Sequence, residues 1–152
     1  MQGRPADAQR VLDPLVERAK PEKMLDLRIL DPACGSGSFL LGAYQYLMDW
    51  HLRFYAQAKD LAKKHKNAVY VDRDGNLRLT LQKKREILSK CIYGVDLDPQ
   101  AIEVAQMSLY LKLLEDEAEE TIALQRTVEM WKADKYLPDL SRNLPRGAEA
   151  LR

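Results

Sequence analysis

The chain has 152 residues, 46% of them hydrophobic and 31% charged, enough for one domain with a genuine core. A formal net charge of +1 gives no global attraction for nucleic acid or an anionic membrane, so a nucleic-acid face would have to be a local patch. No apolar run approaches the roughly 18–20 residues of a membrane span, the first ten residues lack a signal-peptide core, and Cys34 and Cys91 make neither a disulfide framework nor a zinc set, so a reducing cytoplasm is the expected setting.

In chain order, Ala8, Val11, Leu12, Leu15, Val16 and Ala19 share one face of a predicted helix over 8–20. Pro14 either starts or kinks it, and Pro21 is expected to end it. Residues 27–31 form a short apolar run bounded by Pro32, which predicts a buried strand. From Ser38 onward Leu40, Ala43, Leu47, Trp50 and Phe54 recur at helical spacing, predicting about five turns of helix.

The stretch VYVDRDGNLRLT at 69–80 predicts a β-hairpin, because alternating residues flank the turn-forming pair Asp74-Gly75. A basic helix, LQKKREILSK, follows with Thr80 as its expected cap. CIYGVD at 91–96 reads as a second buried strand. Asp98 and Pro99 then supply a cap and a first-turn proline for a helix that aligns Ile102, Ala105, Leu109 and Leu113. The acidic run 115–120 reads as that helix's solvated end, and 121–141 offers Trp131 and Tyr136 as packing anchors.

The order strand, helix, hairpin, helix, strand, helix predicts an α/β domain with a parallel sheet, in which the hairpin and basic helix are an insertion in the first crossover, about residues 59–90. The chain carries no internal repeat and no clear domain boundary, so residues 1–152 read as a single domain.

Two segments carry the chemistry. In open α/β sheets ligands bind beyond the carboxyl ends of the strands. Asp31 ends the first strand, and Gly35 and Gly37 form the turn into the helix, where a missing side chain lets a ligand approach the backbone. Asp96 holds the matching place on the second strand, where an acid accepts hydrogen bonds from ribose hydroxyls. A dinucleotide fingerprint would need a third glycine at position 40, which is leucine, and Asp31 would repel a pyrophosphate. The sugar acid favours a nucleoside and the loop acid favours a cation; S-adenosylmethionine satisfies both.

Asp31-Pro32-Ala33-Cys34-Gly35-Ser36-Gly37-Ser38-Phe39 resembles the S-adenosylmethionine-binding motif of adenine-specific DNA methyltransferases, especially the large restriction–modification methylases. Gly94-Val95-Asp96-Leu97-Asp98-Pro99 is similar to their second motif, and LPDLSRNL at 137–144 to the segment leading into their third, so the likeness covers about residues 25–144. It implies a Rossmann-like class I methyltransferase fold and transfer of a methyl group to the exocyclic amine of adenine in DNA, with the base flipped out of the duplex. It assigns cofactor binding to Asp31, Pro32, Ala33, Cys34, Gly35, Gly37, Asp96 and Leu97, with S-adenosyl-L-methionine as cofactor and DNA as partner.

The family's Asn-Pro-Pro-Tyr-type catalytic motif has no counterpart: the Asp-Pro pairs at 13–14, 31–32 and 98–99 are followed by Leu, Ala and Gln. No catalytic residue is therefore assigned. Where the family carries a Gly-Asn or Gly-Asp step the sequence reads Gly147-Ala148, and Pro145 weakens the strand expected there. The expectation is a truncated or frame-shifted cofactor-binding fragment, inactive alone, with an open sheet edge that favours self-association. The alternatives are a non-catalytic binding remnant or interaction module and, disfavoured by position 40 and Asp31, a nicotinamide-dependent oxidoreductase. Cys34 reads as a packed residue, His51 and His65 show no metal-ligand spacing, and the lysines of 59–66 and 83–85 read as a solvated face rather than a phosphate-contacting patch.

Overall fold

The computed structural model describes residue 12, residues 19–57, residue 60, residues 64–115 and residues 137–146. Most of the helix expected over 8–20, the acidic run beyond Glu115, Trp131, Tyr136 and the Gly147-Ala148 step lie outside the described residues; Leu12 is helical and buried.

A four-residue helix α1 (Pro21–Met24) precedes the first strand. Pro21 starts this helix rather than simply ending the preceding one, a role that suits proline because the first turn has no use for its missing N–H. Strand β1 (Ile29–Asp31) leads through a turn into α2 (Ser38–Ala56), the expected five-turn helix. The hairpin follows as β2 (Val69–Val71) and β3 (Leu77–Leu79), then α3 (Leu81–Cys91), β4 (Ile92–Gly94) and α4 (Pro99–Leu114).

The caps agree with the sequence. Thr80 accepts a hydrogen bond from the Lys83 amide, and Asp98 accepts one from the Gln100 amide with Pro99 just inside the helix. Helix α3 passes straight into β4 with no intervening loop, so the second strand begins at Ile92 and is shorter than the predicted 91–96.

β1 and β4 pair in parallel, with Ile29 opposite Ile92, Leu30 opposite Tyr93 and Asp31 opposite Gly94. The chain is therefore mixed α/β with a small parallel sheet, and β2 with β3 forms a separate antiparallel pair. Helix α2 packs on both β1 and β4 and also meets α3, α4 and β3. Being covered on several sides, it buries a wide stripe: Leu40, Ala43, Tyr44, Leu47, Met48, His51 and Tyr55. His51 and Tyr55 take the inward positions in its last turns, while Trp50 and Phe54, expected in the core, stay partly exposed and stack on one another. Tyr44 is fully buried and donates its hydroxyl to the Lys84 carbonyl at 3.0 Å.

Further core residues include Ile29 and Ile92 from the parallel strands, Val69 and Leu79 from the hairpin, Ile87, Leu88 and Cys91 on α3, Ile102, Ala105, Leu109 and Leu113 on α4, and Leu140 and Leu144. The other face of the sheet is barer, with Leu30 58% exposed. Among the described residues no helix is long and apolar enough to cross a membrane.

Candidate functional site

The carboxyl ends of β1 and β4 lie side by side because the strands pair in register. Backbone bonding continues beyond them: Val95 N–H donates to the Asp31 carbonyl and Cys34 N–H to the Val95 carbonyl, each at 2.9 Å. The turn after β1 is thus stitched to the segment carrying Asp96 before any side chain is considered.

The side chains complete the join. One Asp96 carboxylate oxygen accepts the Gly35 amide at 2.8 Å; the other accepts the Asp98 amide at 2.9 Å. These backbone donors, Asp98 first and Gly35 second, hold the Asp96 carboxyl below its ordinary range, so it stays ionised. Asp31 accepts the Ala33 amide at 3.1 Å, an Asx turn that fixes the first residues of the loop. Two acids separated widely in sequence therefore flank one loop.

The two loop glycines do different things. Gly35 sits at φ +52°, and a β-carbon there would meet nothing within 4 Å, so its bare backbone borders open space. Gly37 sits at φ +86°, and a β-carbon there would lie 2.9 Å from the β-carbon of Ala105. Gly37 is the point at which the loop touches α4, a contact that only hydrogen and a small partner side chain permit. The close helix packing that a dinucleotide fold obtains from its third glycine is supplied here by a different pair.

Sequence reasoning undervalued Gly94. A β-carbon there would fall 2.6 Å from Leu40 Cδ1 and 3.0 Å from Cys34 Sγ. That glycine lets Cys34, only 6% exposed, tuck against β4. Burial, and then the charges of Asp31 and Asp96, push the Cys34 thiol up to about 11, so at neutral pH it is a packed thiol and not a nucleophile. Pro32 and Ala33 are exposed, and Leu97, beside Asp96, is 80% exposed. Of the eight residues singled out from sequence, Asp31, Gly35 and Asp96 are tied to one turn by hydrogen bonds, with Pro32, Ala33 and Leu97 exposed beside them. Cys34 and Gly37 are buried, Cys34 against Gly94 and Gly37 against Ala105.

Residues 8–142 match the MmeI DNA-methyltransferase domain family. The chain is 35% identical over 122 residues, 80% of its length, to RM.Eco57I of Escherichia coli, described as a type II restriction enzyme and methyltransferase. It is 32% identical over 99 residues, 65% of its length, to RM.MjaORFECS2P of Methanocaldococcus jannaschii. It spans only 11% and 7% of those two proteins. The expected likeness to restriction–modification methylases is thereby borne out, over the segment that contains both strand-tip motifs: the chain belongs to the MmeI-type DNA-methyltransferase domain family.

Proposed function

We propose that the chain is the S-adenosylmethionine-binding part of a site-specific DNA methyltransferase that modifies the exocyclic amine of adenine, as in restriction–modification or phage defence. The observation that carries this reading is the Gly35–Asp96 hydrogen bond, which joins the turn after β1 to the acid that follows β4. The family membership supports methyl transfer to DNA as the reaction class.

The residues present suit that cofactor. Asp31 and Asp96 provide negative charge for a cationic nucleoside, and would oppose the pyrophosphate of a dinucleotide. The bare backbone at Gly35 leaves room for close approach, and exposed Leu97 offers an apolar surface for a base beside the sugar acid. In this reading Asp96 accepts from the ribose hydroxyls with lone pairs not used by the two amides, and Asp31 faces the cationic methionine end. Bound S-adenosylmethionine supplies an activated methyl group; the chain's own task is to orient it, since such displacement depends on alignment more than on a strong base.

The fold in this account is a Rossmann-like class I arrangement over residues 1–152, with residues 59–90 as an insertion. The sequence contains no Pro-Pro-aromatic segment to grip a flipped adenine. The 152 residues alone are therefore expected to bind cofactor without methylating DNA, and DNA contact to depend chiefly on segments these residues do not supply.

Calorimetric titration with S-adenosylmethionine, S-adenosylhomocysteine and a nicotinamide dinucleotide tests the reading. Saturable binding of the first two and none of the third is expected. Binding of the dinucleotide alone would move the chain to the oxidoreductase class. Methylation of duplex DNA by the isolated chain would overturn the expectation of inactivity.

A further inference from the structure

The segment 137–146 packs against the outer edge of β4, the edge that faces away from β1. Asn143, 6% exposed, is its hub. Its side-chain amide donates to the Ser89 and Ile92 carbonyls, both at 2.8 Å, and its backbone carbonyl accepts the Gly94 amide at 2.9 Å. Both amide hydrogens are thereby used on the last turn of α3 and the first residue of β4, where an orphaned carbonyl would otherwise be buried.

The surrounding contacts lock the segment onto α4 as well. Leu140 and Leu144 are buried, Tyr110 donates its hydroxyl to the Pro138 carbonyl at 2.9 Å, and the Gln106 side chain donates to the Leu144 carbonyl at 3.0 Å. The end of β4 is consequently pinned from both sides: toward β1 through Val95, and on the far side through Asn143. Gly94, held by the Asn143 backbone carbonyl, lies two positions before Asp96, and Ile92, held by the Asn143 side chain, lies four before it.

We infer that Asn143 is a positioning residue for the proposed cofactor site: its side chain anchors to Ser89 and Ile92 the segment whose backbone carbonyl holds Gly94, so that Asp96 meets the Gly35 amide and presents its carboxylate to the ligand. This rests on the proposed cofactor reading for its functional consequence, but its geometric core, the coupling of Asn143 to the Asp96–Gly35 bond, does not. A purely structural Asn143 would stabilise the fold without any special effect at Gly35. The two roles make different predictions.

The test compares Asn143→Ala and the milder Asn143→Ser with Leu144→Ala, which loosens the same segment but keeps the hydrogen bonds of the Asn143 side chain. All are studied as the full 152-residue chain at a temperature where thermal melts show them folded. The first readout, in the ligand-free chain, is the proton shift of the Gly35 amide, displaced downfield by its carboxylate acceptor. The Asn143 variants are expected to move this resonance toward the value seen in Asp96→Ala, and Leu144→Ala to leave it in place. The second readout is S-adenosylmethionine affinity, expected to fall about tenfold in Asn143→Ala and less than twofold in Leu144→Ala at matched stability.

If the parent chain binds no S-adenosylmethionine, the cofactor reading fails and the amide shift alone decides the coupling. An unchanged Gly35 resonance in Asn143→Ser, or in Asn143→Ala where that variant folds, overturns the inference. So does an affinity loss that merely follows thermal stability across all three variants.

Discussion

Asp96 accepts the Gly35 amide at 2.8 Å across a sequence separation of 61 residues. A single carboxylate thus reads out whether β1 and β4 are paired in register, and ties the loop glycine with free space beside its backbone to the acid expected to hold a sugar. Because its second oxygen is turned to the Asp98 amide, the carboxylate is oriented before any ligand arrives. Preorganisation of this kind lowers the cost of binding.

Replacing Asp96 should therefore act twice, by removing the sugar ligand and by freeing the loop. Asp96→Ala is expected to weaken S-adenosylmethionine binding by about tenfold or more, the range for a lost charge-assisted hydrogen bond. Asp96→Asn, which keeps the shape and one acceptor, should lose less. Calorimetry on the two variants checks the order; an unchanged affinity in Asp96→Ala would remove Asp96 from the site.

The two loop glycines should separate stability from binding. Gly37→Ala forces a β-carbon against Ala105 in a left-handed backbone, and a cost of about 1–3 kcal/mol is expected in denaturant melts. Gly35→Ala has open space and should cost about 1 kcal/mol of backbone strain. Yet its methyl group would occupy the open space that the proposed ligand is expected to fill, so cofactor affinity should suffer more than stability does. Equal behaviour of the two variants in both assays would show that the loop does not divide its work in this way.

His51 offers a pH-dependent check on the core. Its ring is fully buried, packs edge-on to Trp50 and against Tyr55, and neither ring nitrogen has a hydrogen-bond partner among the described residues. Burial, and then the charge of Lys83, lower its pKa to about 4. The unfolded chain binds a proton near pH 6.5 that the folded chain refuses, so stability is full above that pH and declines as pH falls toward 4. Between pH 7.5 and 5 the loss should be about 2 kcal/mol. In His51→Leu it should be largely absent. Parallel slopes in parent and variant over that window would show that His51 is not the group responsible.

The exposed apolar side chains make a different kind of prediction. Leu30 on β1 and Val104, Met107 and Leu111 on α4 leave apolar surface open, and among the described residues no strand pairs with the outer edge of β1. The chain is expected to self-associate, with a sedimentation coefficient that rises with concentration and falls back in Leu30→Lys. A monomer with one sharp, concentration-independent thermal transition would contradict this.

What could be read from sequence was what depends on near neighbours. Asp98 before Pro99 and Thr80 before the basic helix are caps whose chemistry is complete within four residues, and both helices start there. Strand-tip logic put Asp31 and Asp96 at matching strand ends; the parallel pairing sets Asp31 opposite Gly94, with Asp96 two residues beyond the end of β4. The hairpin was legible, but its turn was not quite as Asp74-Gly75 suggested. Asp72 pairs with Asn76 through its amide and binds the Asp74 and Asn76 amides with its carboxylate, making a three-residue loop with Gly75 left-handed. Asn143 could not be found in this way. Its partners lie 51 and 54 residues away, and nothing local to LPDLSRNL reveals that one asparagine is buried against another strand's edge.

The most direct test of the central claim is a chemical-shift titration of the labelled chain with S-adenosylmethionine. The account predicts saturable shifts concentrated at Ala33, Gly35, Asp96 and Leu97, with one common dissociation constant. No shifts, or shifts gathered instead at the cavity lined by Tyr55, His65 and Lys83, would show that the paired strand tips are not where this protein holds its cofactor.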